Sequence, residues 1–376
     1  MADLFDYLQW RGDLTFTQDP PNAVDALIFS ALSYLSLGGQ VEADPGTPVF
    51  LNDASEDFFR LTDVSSRCRA KADLSLLMAA SETVRFGKTR IVQYRDMLIP
   101  EEETQFSAVT FLLDDGSAFL AFRGTDYSLV GWKEDFNMSF QETIPAQRLA
   151  LQYTTDIANM YPLPLRLGGH SKGGNLAVFA AVKTEANIQK RILGVYNHDG
   201  PGFTDYVMND PAYKQMVPRI QTIIPQSSVI GMLLEHEEPY TIIKSKQLGV
   251  LQHELYSWEV IGKDFVPMEE ITADSRFLNQ TIKHWLSGMT NQERNEIVDA
   301  LYELLTVGNV DNVLEIIHPK NIRNYLRTLN TNSKIRKILS EELLGLMEAA
   351  RKTQLALENN QAEKETSKTE EKSGGN

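Results

Sequence analysis

Cysteine is nearly missing from this chain: Cys68 stands alone in 376 residues. One thiol cannot close an internal disulfide or build a cysteine-ligated zinc site, so Cys68 reads as a small buried apolar side chain. Long apolar runs are missing too, since no uninterrupted stretch reaches the roughly 18 to 20 residues that a membrane-spanning helix requires. The opening MADLFDYLQWRGDL has acidic residues where a secretory leader would place a basic flank and an apolar run. It predicts no export and a soluble, cytoplasmic protein without an integral membrane segment. Positive charge is scarce, with 36 Lys+Arg against 51 Asp+Glu and a net charge of −15. Such a surface repels phosphate backbones and anionic lipid headgroups, so neither nucleic acid nor a polybasic membrane contact is expected.

What remains is an ordinary globular composition, 42% hydrophobic, in a chain long enough for one large domain and an appendage. Asn22 caps a helical pattern through Val24, Leu27, Ile28, Ala31 and Leu35 that stops at Gly38-Gly39. Further helical spacing runs over 53–86. The period then changes to β-rich runs at 90–94, 106–113 and 118–122, the last two joined by the hairpin signal Asp114-Asp115-Gly116. From Pro145 a helix, a strand at 163–167, a glycine-rich turn, an alanine-rich helix and strands at 192–196, 220–224 and 240–244 follow one another. Alternation of this kind predicts an α/β fold, a mostly parallel sheet flanked by helices that gathers its ligands at the strands' carboxyl ends. The antiparallel hairpin is expected at one edge. Past Ile271 only helical spacing persists. The expected organisation is therefore an α/β domain over 1–270, an α-helical appendage over 271–356 and a disordered polar tail over 357–376.

Chemistry is concentrated at Gly169-His170-Ser171-Lys172-Gly173. This is GxSxG between an expected strand and an expected helix, the setting of a nucleophile elbow. Ser171 would project its hydroxyl from a sharp turn. Gly169 and Gly173 keep the flanks small where strand and helix pass closely, and the Lys172 N–H at the helix start can donate to a developing oxyanion. The bland reading is a glycine-rich turn whose serine caps the next helix. A phosphate-binding loop is disfavoured because GxxxxGK[ST] is absent.

Ser171 needs a base. His253, after the last β run, fits the order nucleophile, acid, histidine, and His236 is the weaker candidate. His170 lies inside the elbow and is expected to point away from the hydroxyl. His284 and His318 belong to the helical region. The acid is Asp199 in Asn197-His198-Asp199-Gly200-Pro201-Gly202, with Asp205, Glu235 and Glu237 as substitutes. In Phe122-Arg123-Gly124-Thr125-Asp126, Thr125 can offer a backbone N–H and a hydroxyl to the oxyanion, while Arg123 reads as a structural ion-pair partner.

Taken together, FRGTD, GWKED and LGGHSKGGNLA resemble the class 3 lipases, a branch of the α/β-hydrolase superfamily with an FRG[ST] strand end followed by a GHSxGG elbow. DYLQWRGDLTF, VDALIFSALSYL, NHDGPGF, IIPQSSVIGMLLEHEE and QHELYSW look like a bacterial family of Mbeg-like hydrolases related to those lipases, over roughly residues 1 to 265. The resemblance implies Ser171 as nucleophile, Thr125 and the Lys172 N–H as oxyanion donors and His253 as general base. It departs at the acid: class 3 lipases place an aspartate after the next strand, where this chain has Ser227-Ser228. Either Asp199 takes over or the triad is incomplete. The resulting expectation is a serine hydrolase that cleaves small or acyl-lipid carboxylic esters through an acyl-enzyme, with no cofactor and no metal. A degenerate hydrolase kept as a binding module, docking a protein partner through its C-terminal helices, is the alternative. A peptidase or thioesterase would use the same machinery. The helical region is expected to be a packing domain, with a lid as the alternative.

Overall fold

The computed structural model describes residues 2–39, 41, 47–307, 310, 315–316 and 318–373, with side chains to 358. Of the polar tail expected over 357–376, residues 374–376 and the side chains past 358 lie outside the described residues.

Eight strands build one sheet in sequential order: β1 Val49–Phe50, β2 Arg90–Ile99, β3 Thr104–Leu112, β4 Ala118–Phe122, β5 Leu165–His170, β6 Ile192–His198, β7 Ile220–Pro225 and β8 Tyr240–Ile243. Pairing is antiparallel from β1 to β4 and parallel from β4 to β8. The hairpin lies where the sequence predicts it: Gly116 takes φ +81 and the Asp115 carboxylate accepts from the Ser117 N–H. It is not the sheet's edge, because β2 and the two-residue β1 continue beyond it. β2 also runs past Tyr94 to Ile99, since a bulge between Val92 and Arg95, with Gln93 at φ +55, lets the strand bend and resume pairing.

Both faces are covered, which explains why the strands read as continuous apolar runs. On one face lie the helices Leu4–Arg11, Ala23–Leu32, Leu51–Phe59 and Lys71–Ser81, with Phe29 packed against Phe111 and Phe119. Asn22 caps Ala23–Leu32 in a capping box with Asp25. The same Asp25 accepts from Arg85 and from the Tyr7 hydroxyl, so one buried carboxylate ties three segments together. The opposite face is covered by the helices Pro145–Met160 and Lys172–Lys183. Parallel register sets Phe122 beside Gly169 and His170 beside His198, so the carboxyl ends of β4, β5 and β6 meet.

The helices Ala273–Ser287, Asn291–Leu305, Pro319–Thr331 and Ser333–Ser373 follow. They are anchored to the sheet's helical flank by Lys133 to Asp299 at 2.7 Å and by Arg294 to the Ser139 carbonyl at 2.5 Å. The Thr272 N–H donates to Gln226 O at 2.7 Å, and the Ser275 hydroxyl donates to Ser228 O. Among the described residues no helix is long and apolar enough to cross a membrane.

His198 at the end of β6 is fully buried, and burial pushes its imidazole down to about 3. The folded chain therefore refuses a proton that the unfolded chain accepts below the ordinary histidine value. Its contribution to stability is present above that value and is lost as pH falls toward 3, at up to about 1.4 kcal/mol per pH unit for one proton. Denaturant unfolding of wild type and His198→Asn between pH 7 and pH 5 should show a shallower acid loss in the variant. Parallel slopes would remove His198 as a source.

Candidate active site

Ser171 sits at φ 58, ψ −131, between β5 and the helix Lys172–Lys183. A non-glycine residue holds such a backbone only where its surroundings over-determine it. Here they do. A Cβ on Gly169 would lie 2.3 Å from the Gly173 carbonyl, one on Gly173 2.1 Å from Phe122 O, and one on Gly174 2.1 Å from Asn197 Oδ1. The Ser171 N–H donates to His198 O at 2.9 Å, which locks the corner onto β6. Ser171 itself is half-buried.

One residue past β6, Asp199 is fully buried at φ +52. Its Oδ2 accepts from His253 Nδ1 at 2.7 Å. Its Oδ1 accepts the Ser228 hydroxyl and, at 3.2 Å, the Gly231 N–H. A buried carboxylate can only accept, and these donors replace the water it has lost. Gly231 is required by space: a Cβ there would lie 2.3 Å from Asp199 Oδ1. Ser228 thus stands in the stretch after β7 where class 3 lipases carry their acid, and it donates to an acid delivered from β6.

His253 ends the short 3-10 turn Gly249–His253 and is held from several sides. His170 Nε2 lies 2.8 Å from His253 O, and a carbonyl can only accept, so His170 carries its proton on Nε2 and its Nδ1 accepts the Tyr34 hydroxyl at 2.9 Å. The two imidazoles lie with centroids 4.5 Å apart. Burial, the neighbouring His253 and the Arg69 charge hold His170 well below the ordinary imidazole range. Arg69 grips Glu254 in a bidentate pair at 2.7 and 2.8 Å, and Trp258 Nε1 donates to Gln252 O at 2.9 Å. The Gln252 amide in turn accepts the Ser227 N–H at 2.8 Å.

On the other flank, the loop after β4 abuts the elbow. A Cβ on Gly124 would lie 2.5 Å from His170 O and 3.2 Å from Ser171 Cβ. The Thr125 hydroxyl donates to Asp135 at 2.5 Å, and this corrects the expectation that it is free to serve an oxyanion, because a hydroxyl has one proton. Among the described residues no acceptor is found for the Thr125 N–H. The Lys172 N–H belongs to the first helical turn, whose donors have no intrahelical acceptor. Its side chain turns into the protein, where Nζ meets Glu134 at 2.9 Å, Gln105 O at 2.9 Å and Gln105 Oε1 at 2.8 Å. Burial pushes the Asp135 carboxyl up to about 6, against the opposing pull of Lys172 and the Thr125 hydroxyl.

Asp199 and His253 are hydrogen-bonded past the end of β6, and Ser171, Lys172 and Thr125 stand in the turns after the neighbouring strands β5 and β4; among the described residues no hydrogen bond joins Ser171 Oγ to His253. The structure does not bring the substitutes there. His236 pairs with Glu238 at 3.0 Å, Glu235 with Lys283 at 3.0 Å, Asp205 opens a four-residue helix, and the Glu237 N–H turns to the Tyr213 hydroxyl. His284 bonds Thr353, and His318 caps the helix Pro319–Thr331. Arg123 pairs with Asp96, as a structural partner would. An open cleft of about 860 Å³ lies between the body and the C-terminal helices, lined by Phe140, Phe203, Leu234, Leu286 and Arg294 among others. None of Ser171, Asp199 and His253 lines it. Among the described residues no three His, Cys, Asp or Glu side chains are placed to hold a metal ion. Sequence reasoning read Ser228 as the loss of an acid and missed Gly231, Tyr34, Glu134 and Asp135. Only the Glu134-Asp135 pair of GWKED left a readable signal.

No curated protein matches the chain in sequence. Among solved structures it is similar to the Rhizomucor miehei lipase in its propeptide complex, at 14% identity over 64% of this chain and 80% of that one, TM-score 0.38. A fungal lipase is similar at 13% identity over 66% and 84%, TM-score 0.40, and a mutant form of MDLA from Penicillium cyclopium at 15% over 65% and 83%, TM-score 0.38. The mostly parallel sheet with its helices on both faces is the α/β architecture that the sequence predicts. A family model described as Mbeg1-like matches residues 80–303, more than half of the chain, and the protein belongs to the Mbeg1-like family.

Proposed function

We propose that this protein is a serine hydrolase that cleaves carboxylic esters through an acyl-enzyme on Ser171. The observation that carries this reading is the hydrogen bond from His253 Nδ1 to the buried Asp199, one strand end away from the strained Ser171 corner. With its Nδ1–H donating a hydrogen bond to Asp199, His253 presents Nε2 as a base. It takes the Ser171 proton as the hydroxyl attacks the ester carbonyl. The new alkoxide is received by the N–H groups of Thr125 and Lys172, and His253 then protonates the leaving alcohol. Water attacks the acyl group in a second round that returns the proton to Ser171 Oγ and frees the acid. The Asp199 carboxylate orients and stabilises the imidazolium while Ser228 and the Gly231 N–H donate to its other oxygen. The substrate is a small or acyl-lipid ester, and the machinery requires neither cofactor nor metal.

The alternative of a degenerate binding module rests on the serines that stand where class 3 lipases carry a carboxylate after β7. The Asp199–Ser228 arrangement favours hydrolysis instead, because the carboxylate is present and the serine supports it.

A fluorophosphonate probe should label wild type and leave Ser171→Ala unlabelled. Equal labelling of both would end the proposal. Turnover of a short-chain nitrophenyl ester should fall by about 10³- to 10⁴-fold in Asp199→Asn and His253→Ala. Ser228→Ala removes one charge-assisted donor and keeps the His253 contact, so its loss should be only about ten- to a hundredfold, expressed in kcat rather than KM. An Asp199→Asn enzyme as fast as wild type would dismiss Asp199 as the acid.

A further inference from the structure

The helix Pro319–Thr331 and the first turns of Ser333–Ser373 carry charge opposite to that of the chain as a whole. Residues 316–340 contain six Lys or Arg and no Asp or Glu, within a protein of net charge −15. Lys320, Arg323 and Arg327 on the helix Pro319–Thr331, and Lys334, Arg336 and Lys337 at the start of Ser333–Ser373, are all exposed. Among the described residues only Lys337 of these six reaches a carboxylate, Glu341 at 3.9 Å. Arg336 reaches the Leu329 carbonyl at 3.5 Å, and among the described residues the other four cations reach no carboxylate.

The same surface exposes aliphatic side chains. Ile322 and Leu326 are 44% and 57% exposed and lie one turn apart, hence on one helix face. At about 100° per residue they share an exposed arc with Arg323 and Arg327. Past the Asn332 turn, Leu343, Leu344 and Met347 are 60%, 66% and 63% exposed on the next helix. Nucleic acid would use the cations but gains little from exposed aliphatics, since its backbone rewards charge and its bases reward aromatic stacking. An anionic bilayer uses both. Aliphatic side chains enter the boundary between headgroups and acyl chains, while Lys and Arg remain among the anionic headgroups.

We propose that residues 319–347 form a docking surface for an anionic lipid bilayer. The surface holds the protein at the interface through charge and shallow apolar insertion, with no spanning segment. It is independent of the hydrolytic reading, because binding requires none of Ser171, Asp199 and His253.

The test is co-sedimentation of the full-length protein with vesicles of phosphatidylcholine alone or with about 30% phosphatidylglycerol, at about 0.1 M and 0.5 M salt. Wild type and Ser171→Ala should both bind the anionic vesicles at least about tenfold more tightly than the neutral ones and lose most of that preference at high salt. Arg323→Glu/Arg327→Glu should abolish the preference. Ile322→Ser/Leu326→Ser should weaken binding severalfold and leave its salt dependence in place. Should the glutamate variant fail to fold by circular dichroism, Arg323→Gln/Arg327→Gln carries the same comparison. Equal binding to the two vesicle types, or charge-reversed protein that binds like wild type, overturns the proposal. So does a DNA duplex that displaces the vesicles, or a dimer in light scattering that Leu326→Ser dissolves, because each gives the face a different occupant.

Discussion

Everything at this site depends on how closely three strand ends approach. Gly169, Gly173 and Gly174 have no room for a Cβ against Phe122, Asn197 and one another. That closeness holds Ser171 in its unfavourable backbone conformation, and the strain is maintained by packing on both sides. It also sets the loop after β4 against the elbow and lets the first residue past β6 reach the histidine loop. The apolar sheet with a core on each face supplies the rigidity that makes such crowding tolerable.

Under the proposed function, the Asp199 carboxylate would show how one role can move along a sheet edge. A histidine that arrives after β8 can be met by a carboxylate from β7 or from β6. Asp199 comes from β6, and the loop after β7 contributes Ser228 and the Gly231 N–H to the second carboxylate oxygen. The residues that read as a loss in the linear sequence therefore return as support in three dimensions. His253 is fixed with equal care: the Arg69–Glu254 pair, the His170 and Gln252 contacts and the Trp258 indole all act on the main chain around it.

The elbow and the parallel half of the sheet were legible in the sequence, because they are local. GxSxG has a steric cause within five residues, and buried strands announce themselves as apolar runs. The bulge at Gln93, the Ser228 contact and the burial of the Lys172 side chain were not legible. Each depends on a partner tens of residues away, and a lysine next to a nucleophile reads as solvent-facing until Glu134 and Gln105 are seen beneath it. Thr125 was half legible: its place at a strand end followed from FRGTD, but the Asp135 carboxylate that claims its hydroxyl lies on the helix that follows. The basic helices were visible as composition, yet the net acidity of the chain masked them.

The Lys172–Glu134 pair has a consequence for how this protein can change over generations. Both side chains are wholly shielded from solvent, so neither has water to fall back on. A lineage that lost Glu134 alone would strand an ammonium group in the interior at a cost of about 3 to 5 kcal/mol, whereas exchanging both together for aliphatic residues is tolerable. Lys172, directly after Ser171, is thus tied to a residue thirty-eight places upstream, and drift at one is constrained by the state of the other.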